Sequence, residues 1–120
     1  MAMPLILDSR KVGDTAVVSI RGRIVFGEEC NRLRDQVKEL LTESSAVILN
    51  LTGVEYVDSG GVGTLVALYT TAKNTNVDLR MAGANDRVQH VLQITKLLPI
   101  LGMYRDEEAA IEACRKHANA

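Results

Sequence analysis

The run AVILNL at residues 46–51 is the feature that most constrains the fold of this chain. A nearly continuous apolar run of strand length is typical of a parallel strand covered by helices on both faces. Before it, residues 28–41 have apolar side chains every three or four positions and charged ones between them, which predicts an amphipathic helix. An apolar helix at 64–73 and a weaker strand at 77–82 follow. Strands that alternate with helices predict an α/β domain with a mostly parallel sheet.

The N-terminal residues add an antiparallel strand to this plan. β-branched and apolar residues at 5–7 and 16–20, joined by a turn at Gly13-Asp14, predict a β-hairpin. The glycine-bordered residues 22–27 are predicted to form a loop.

The C-terminal third repeats the alternation of helix and strand. Asn85 or Asp86 is expected to cap a helix that Pro99 stops, residues 100–104 to form a last strand, and Asp106 to cap a final helix. A chain of 120 residues has the commonest size of one domain. We therefore expect a single domain over residues 1–120, with a mixed, mostly parallel sheet, an N-terminal β-hairpin and about four helices.

Charge and composition exclude several classes of partner. The chain has 14 basic and 15 acidic residues, 3% aromatics and no tryptophan, so it offers neither an electrostatic field for nucleic acid or anionic membrane nor a stacking platform for bases. No run approaches the ~20 apolar residues of a membrane helix. The first seven residues lack the charged leader of a secretion signal. We expect a soluble, cytoplasmic protein.

The two cysteines, Cys30 and Cys114, are far apart and have no Cys-x-x-Cys or histidine companion. Such cysteines predict neither a zinc site nor a disulfide framework. They are interpreted as small core residues of a protein in a reducing cytosol.

The stretch YVDSGGVG at residues 56–63 places a serine where a strand passes into a helix, the edge at which α/β proteins gather their sites. A Walker phosphate loop would need a lysine directly after its last glycine, whereas Thr64 follows Gly63. A dinucleotide fingerprint would need a small residue where Val66 stands. Neither nucleotide motif is present.

A hydrolase elbow, Gly-x-Ser-x-Gly, is met only in part, because Val57 occupies the first glycine position. His90 and His117 are the only histidines that could act as the base. A small serine hydrolase using Ser59 is therefore the less favoured alternative, and no catalytic residue is predicted.

The simplest role of Ser59 is to cap a helix that begins at Gly60. Three glycines in the first turns of that helix remain unexplained, because each costs about 0.5–1 kcal/mol relative to alanine. We expect the backbone of another protein to approach Gly60, Gly61 and Gly63 closely.

The segment Asp58-Ser59-Gly60-Gly61-Val62-Gly63 resembles the STAS domains of bacterial anti-sigma factor antagonists. The segments VILNLTGVEYVDS, SIRGRI and DEEAAIEAC are also similar to that family and occur in its order. The resemblance covers nearly the whole chain.

The resemblance implies regulation of transcription by partner switching. Such antagonists bind an anti-sigma factor, often also a serine kinase, and so release a sigma factor. The kinase would phosphorylate Ser59, and a serine phosphatase would reverse this. ATP would belong to the partner kinase, so the chain itself is expected to hold no cofactor, metal or small-molecule ligand and not to be an enzyme. The implied partner-binding residues are Asp58, Ser59, Gly60, Gly61, Val62, Gly63, Arg23, Ile24 and Val25.

The chain departs from the family pattern at two positions. Gly60 stands where a second serine is frequent, and Val25 stands where a Gly-x-Leu-Asp pattern has its aspartate. A scaffold or interaction module of a sensory complex, without phosphorylation, is therefore an open alternative. Two readings of Phe26 also stay open: a place beside Ser59 in the contact surface, or a place in the core.

Overall fold

The computed structural model describes residues 5–97 and 101–118, with only the backbone described from 116 to 118. Its helices and strands alternate after an initial hairpin, as predicted. The strands are β1 (Ile6–Val12), β2 (Thr15–Ile24), β3 (Ala46–Val57), β4 (Asp78–Ala82) and β5 (Met103–Tyr104). The helices are α1 (Glu28–Glu43), α2 (Ser59–Asn74), α3 (Asp86–Ile94) and α4 (Glu107–Ala118).

The five strands form one sheet in the order β1-β2-β3-β4-β5. β1 is antiparallel to β2, and every other neighbouring pair is parallel. Gly13 makes the β1–β2 turn with a φ of 63°, a left-handed conformation that glycine adopts without steric cost. The predicted mixed sheet with an N-terminal hairpin is confirmed.

Helices cover the two faces of the sheet unequally. The buried residues of α1, α2 and α3 share one core with one face of β2, β3 and β4, whereas α4 packs Ala110 and Cys114 on Val17, Ile48 and other residues of the opposite face. Residues 46–49 are 0–4% exposed because alternate side chains of a strand point to opposite faces and both are covered here. This confirms the interpretation of the apolar run.

β2 and β3 are longer than the sequence pattern indicated. β2 continues to Ile24 and β3 to Val57, because the two strands remain paired until these two residues, which are partners of each other. The prediction of a loop over residues 22–27 is therefore wrong for 22–24. The glycine that indicated a loop, Gly22, has a φ of 110° and lies at a register shift within the paired strand, where a glycine marks an irregularity of β2.

The predicted caps of the last two helices are found. The Asn85 side chain accepts a hydrogen bond from the Val88 amide (2.8 Å), and Asp106 accepts one from the Ala109 amide (2.9 Å). α3 ends at Ile94, and Lys96 takes a left-handed φ of 62°. The predicted helix stop at Pro99 lies outside the described residues. The prediction of a last strand over residues 100–104 is wrong for Leu101 and Gly102, because β5 begins at Met103.

Both cysteines are buried and free. Burial raises the pKa of the Cys114 thiol to about 11, so this thiol is protonated at neutral pH. The interpretation of Cys30 and Cys114 as core residues is confirmed. Within residues 5–97 and 101–118, no helix has both the length and the apolar character needed to cross a membrane.

Candidate functional site

Two loops meet at the carboxyl edge of the parallel strands. Because Ile24 at the end of β2 is paired with Val57 at the end of β3, the segments that follow these strands leave the sheet side by side. The first is the β2–α1 loop, residues 25–27. The second is the start of α2, which carries Ser59.

Asp58 connects the two loops. One of its carboxylate oxygens accepts a hydrogen bond from the Gly61 amide (2.8 Å), and both accept from the Phe26 amide (3.2 and 3.1 Å). The Asp58 amide in turn donates to the Ile24 carbonyl (3.2 Å). The prediction that Ser59 caps the helix is wrong, because Asp58 is the N-cap and α2 begins at Ser59.

Ser59 is exposed at the first residue of α2. Its hydroxyl makes no hydrogen bond to another of the residues that the structure describes. The first amides of a helix have no partner within the helix, and together with the helix dipole they attract an anion. The hydroxyl is thus accessible, and the backbone around it can accommodate negative charge.

The chain's own backbone explains two of the three glycines. A Cβ on Gly60 would lie 2.6 Å from Phe26 Cβ and 2.9 Å from Phe26 Cα, and a Cβ on Gly61 would overlap the Ile24 carbonyl oxygen. A Cβ on Gly63 would meet no atom within 4 Å. The expected approach of another protein's backbone is therefore wrong for Gly60 and Gly61, where the chain's own β2 end and β2–α1 loop make the close contact. Of the three glycines, Gly63 is the one where an added Cβ meets no atom of the described residues.

The nine residues predicted to bind a partner are brought together at this edge, but they differ in accessibility. Ile24 and Val62 are 0% and 8% exposed, and Gly61 is buried. The half-buried members are Val25, Asp58 and Gly60, and the exposed ones are Arg23, Ser59 and Gly63.

The flanking contacts of these residues involve the strand ends and α1. The Arg23 guanidinium lies 3.8 Å from Glu55 of β3. The Val25 carbonyl accepts a hydrogen bond from the Cys30 thiol (2.9 Å). The hydrogen bond from Cys30 connects the β2–α1 loop to α1, whereas the Arg23–Glu55 pair is largely exposed and contributes little.

Phe26 is the residue of this surface that the predicted set of partner-binding residues omits. Its side chain is 82% exposed and lies against Gly60, so the interpretation that places Phe26 in the core is wrong. The available signal was the single phenylalanine of the chain directly before Gly27. Turn glycines flank core and surface aromatics alike, and for that reason the sequence left both readings open.

The parts of a serine hydrolase are not assembled among the described residues. The Ser59 hydroxyl has no hydrogen bond to His90, which is exposed on α3, and the His117 side chain lies outside the described part of the chain. A cavity of about 740 Å³ lies at the amino end of the parallel strands, where Asp14, Asp78 and Cys114 are among its lining residues. Ser59 does not line this cavity, and it lies at the opposite, carboxyl end of the parallel strands.

Solved structures of known proteins share this fold. The anti-sigma factor antagonist SpoIIAA of Bacillus, in its unphosphorylated form, matches with a TM-score of 0.79 at 20% identity, covering 92% of this chain and 97% of that chain. A putative anti-sigma factor antagonist of Thermotoga maritima gives 0.84 at 22%, covering 91% and 94%. A sulfate transporter family protein of Wolinella succinogenes gives 0.74 at 18%, covering 89% of both chains.

These likenesses show the fold, and they include proteins of different function. The family model of the STAS domain matches residues 7–110. That span includes all of the sheet except Ile6, together with the loop after β2 and the start of α2 with Ser59. The chain belongs to the STAS domain family.

Proposed function

We propose that this protein is an anti-sigma factor antagonist. It binds an anti-sigma factor that is also a serine kinase, releases a sigma factor, and is switched off by phosphorylation of Ser59. The observation that carries this proposal is that capping and the exposed hydroxyl belong to two different residues at the start of α2. Asp58 caps the helix, and Ser59 is left at the first helical position with an exposed hydroxyl that makes no hydrogen bond to the described part of the chain.

A phosphoryl group on Ser59 suits the folded domain. It adds about −1.5 to −2 charges at a helix N-terminus, where free amides and the helix dipole stabilise an anion. The same charge lies next to the Asp58 carboxylate and in the middle of the exposed surface. Removing it from water in an interface, or placing it against a like charge, costs several kcal/mol, or a hundredfold or more in affinity. The switch therefore blocks the interface and leaves the fold unchanged.

The two departures from the family pattern have different consequences. Gly60 packs against Phe26, so a second serine there would displace the β2–α1 loop, and Ser59 is left as the single acceptor. Val25 supplies no carboxylate to a kinase. This second departure favours the alternative of an unphosphorylated interaction module, which the experiment below distinguishes.

The roles outside the chain follow from the same proposal. The kinase partner binds the ATP, a serine phosphatase restores the free hydroxyl, and the antagonist itself holds no cofactor and catalyses no reaction. Partner switching of this kind controls transcription in the cytoplasm.

Affinity capture from host lysate with the wild type, Ser59→Ala and Ser59→Asp tests the proposal. We expect the wild type and Ser59→Ala to retain a kinase-like anti-sigma factor that Ser59→Asp loses. Incubation with ATP and lysate should add one phosphate to the wild type and none to Ser59→Ala, as seen by intact mass. Equal retention by all three proteins, with no phosphate gained, would instead identify the interaction module. Ester turnover that Ser59→Ala abolishes would identify the hydrolase.

A further inference from the structure

Among the residues that the structure describes, Phe26 has the most exposed large apolar side chain. It is 82% exposed, compared with 64% for Ile94, 43% for Ile6 and 38% for Tyr56. A phenyl ring in water is unfavourable because its apolar surface is hydrated. Single exposed apolar residues are common, and exposure alone does not mark a site.

The backbone that carries this ring is fixed in place. The Phe26 amide donates to both carboxylate oxygens of Asp58 (3.2 and 3.1 Å), and its Cα and Cβ lie against Gly60. The Ile24 carbonyl two residues earlier is bound by the Asp58 amide (3.2 Å). The ring is therefore presented by a constrained loop, and a partner would spend little free energy on ordering it.

The position of the ring links it to Ser59. Phe26 lies against Gly60, the residue directly after Ser59. The Phe26 amide donates a hydrogen bond to Asp58, the residue directly before Ser59. Aromatic side chains, phenylalanine included, are enriched in the buried cores of protein interfaces.

We propose that Phe26 is the apolar anchor of the partner-binding surface: the partner encloses its ring in an apolar pocket, and Asp58 positions it beside Ser59. The occupant is the anti-sigma factor, so this inference rests on the proposed function. A phosphoryl group on Ser59 then lies at the mouth of that pocket, where it must give up its hydration next to apolar walls.

The first test measures affinity. The anti-sigma factor identified by capture is purified and titrated against the wild type, Phe26→Ala and Ile94→Ala. Ile94 is the matched control, because it is also exposed but is the last residue of the nine-residue helix α3, about 13 Å along the helix from its cap. We expect Phe26→Ala to weaken binding about thirtyfold or more, and Ile94→Ala to leave it unchanged.

The second test follows the ring itself. The chain contains no tryptophan, so Phe26→Trp introduces the one tryptophan of the chain, excited selectively over its tyrosines, at the proposed anchor. On addition of the anti-sigma factor its emission should shift to the blue and its quenching by acrylamide should fall. Thermal unfolding of each variant, expected to match that of the wild type, confirms that the proteins are folded.

The outcomes separate this inference from the proposed function. Wild-type affinity in Phe26→Ala, or a reporter as accessible in the complex as in the free protein, would overturn the anchor and leave the antagonist role standing. Undiminished binding by Ser59→Asp, with a thirtyfold loss in Phe26→Ala, would overturn the switch and support the anchor. If the capture experiment yields no anti-sigma factor, both proposals fail.

Discussion

At the scale of single residues, the start of α2 depends on three neighbours with separate tasks. Asp58 caps the helix and binds the Phe26 amide, Ser59 carries an exposed hydroxyl, and Gly60 lets the β2–α1 loop pack against the helix. Each task needs a particular residue type: a carboxylate with two acceptor oxygens, a small hydroxyl, and no side chain at all. The hydroxyl proposed for modification is thus on a different residue from the carboxylate and the glycine that stabilise the start of α2.

Gly60→Ala and Gly63→Ala should change stability in opposite directions. A Cβ at Gly60 collides with the Phe26 backbone, and overpacking of this kind costs about 1–3 kcal/mol. A Cβ at Gly63 meets open space, so its substitution should raise the free energy of unfolding by about 0.5–1 kcal/mol. Urea unfolding measures both. A stabilised Gly60→Ala variant would show that the loop moves away at little cost.

Asp58→Ala should lower the free energy of unfolding by about 1–2 kcal/mol, because it removes the helix cap. Asp58→Asn is the matched variant, since asparagine caps helices about as well as aspartate. The asparagine side chain has one oxygen, which cannot replace the two carboxylate oxygens that accept from the Phe26 amide. We therefore expect Asp58→Asn to keep most of the free energy of unfolding, but hydrogen exchange at the Phe26 amide to become faster. Unchanged exchange there would contradict the role of Asp58 in holding the loop.

At the scale of elements, Glu107 at the start of α4 connects this helix to the sheet. Its carboxylate forms an ion pair with Arg10 of β1, including one hydrogen bond of 3.0 Å, and accepts another from Asn50 of β3 (3.2 Å). The hydrogen bond from Arg10 is the main cause that holds the pKa of Glu107 below its ordinary value of 4.5. α4, which alone covers its face of the sheet among the described elements, is thereby tied to the hairpin.

Glu107→Gln should cost about 0.5–1 kcal/mol at pH 7, the upper range for a partly exposed ion pair. Because the pKa of Glu107 is lower in the folded than in the unfolded state, its contribution is present above pH 4.5 and is lost as the pH falls through the folded value. The stability difference from the wild type should therefore narrow below pH 4.5. Glu108→Gln, at an exposed neighbour, serves as the control. A difference that is constant from pH 7 to pH 3 would contradict this assignment.

At the scale of the whole molecule, the proposed switch acts at one edge of a sheet whose core lies elsewhere. The described residues form two buried clusters, one between the sheet and α1, α2 and α3, and one between the sheet and α4. Ser59 belongs to neither cluster. A change of charge at Ser59 therefore alters the surface that a partner meets and not the packing that holds the domain together.

Amide hydrogen exchange before and after phosphorylation tests this locality. We expect changes in protection only near residues 24–27 and 58–63, because a phosphate at a helix N-terminus is stabilised by free amides. Ser59→Ala treated in the same way is the control for effects of the incubation. Loss of protection in β4 or α4 would mean that the modification loosens the fold, and would refute the blocking model.

The sequence by itself determined the α/β class, the order of strands and helices, the burial of both cysteines and the location of the candidate site. These features are expressed in local patterns: apolar periodicity reports which face of an element is buried, and capping residues mark where helices begin. Asn85 and Asp106 are caps of this kind, with partners three residues along the chain.

Only the tertiary structure decided how the candidate site is built. Asp58 and Phe26 are 32 positions apart, and no local pattern states that a carboxylate will bind an amide at that separation. The cap of α2 by Asp58 is a local contact, to the Gly61 amide three residues along. The contact with Phe26 is not local: it accompanies the packing of Gly60 against the chain's own loop and the position of the Phe26 ring outside the core. These two features depend on the side-by-side pairing of β2 and β3 up to their last residues, which exists only once the sheet has formed.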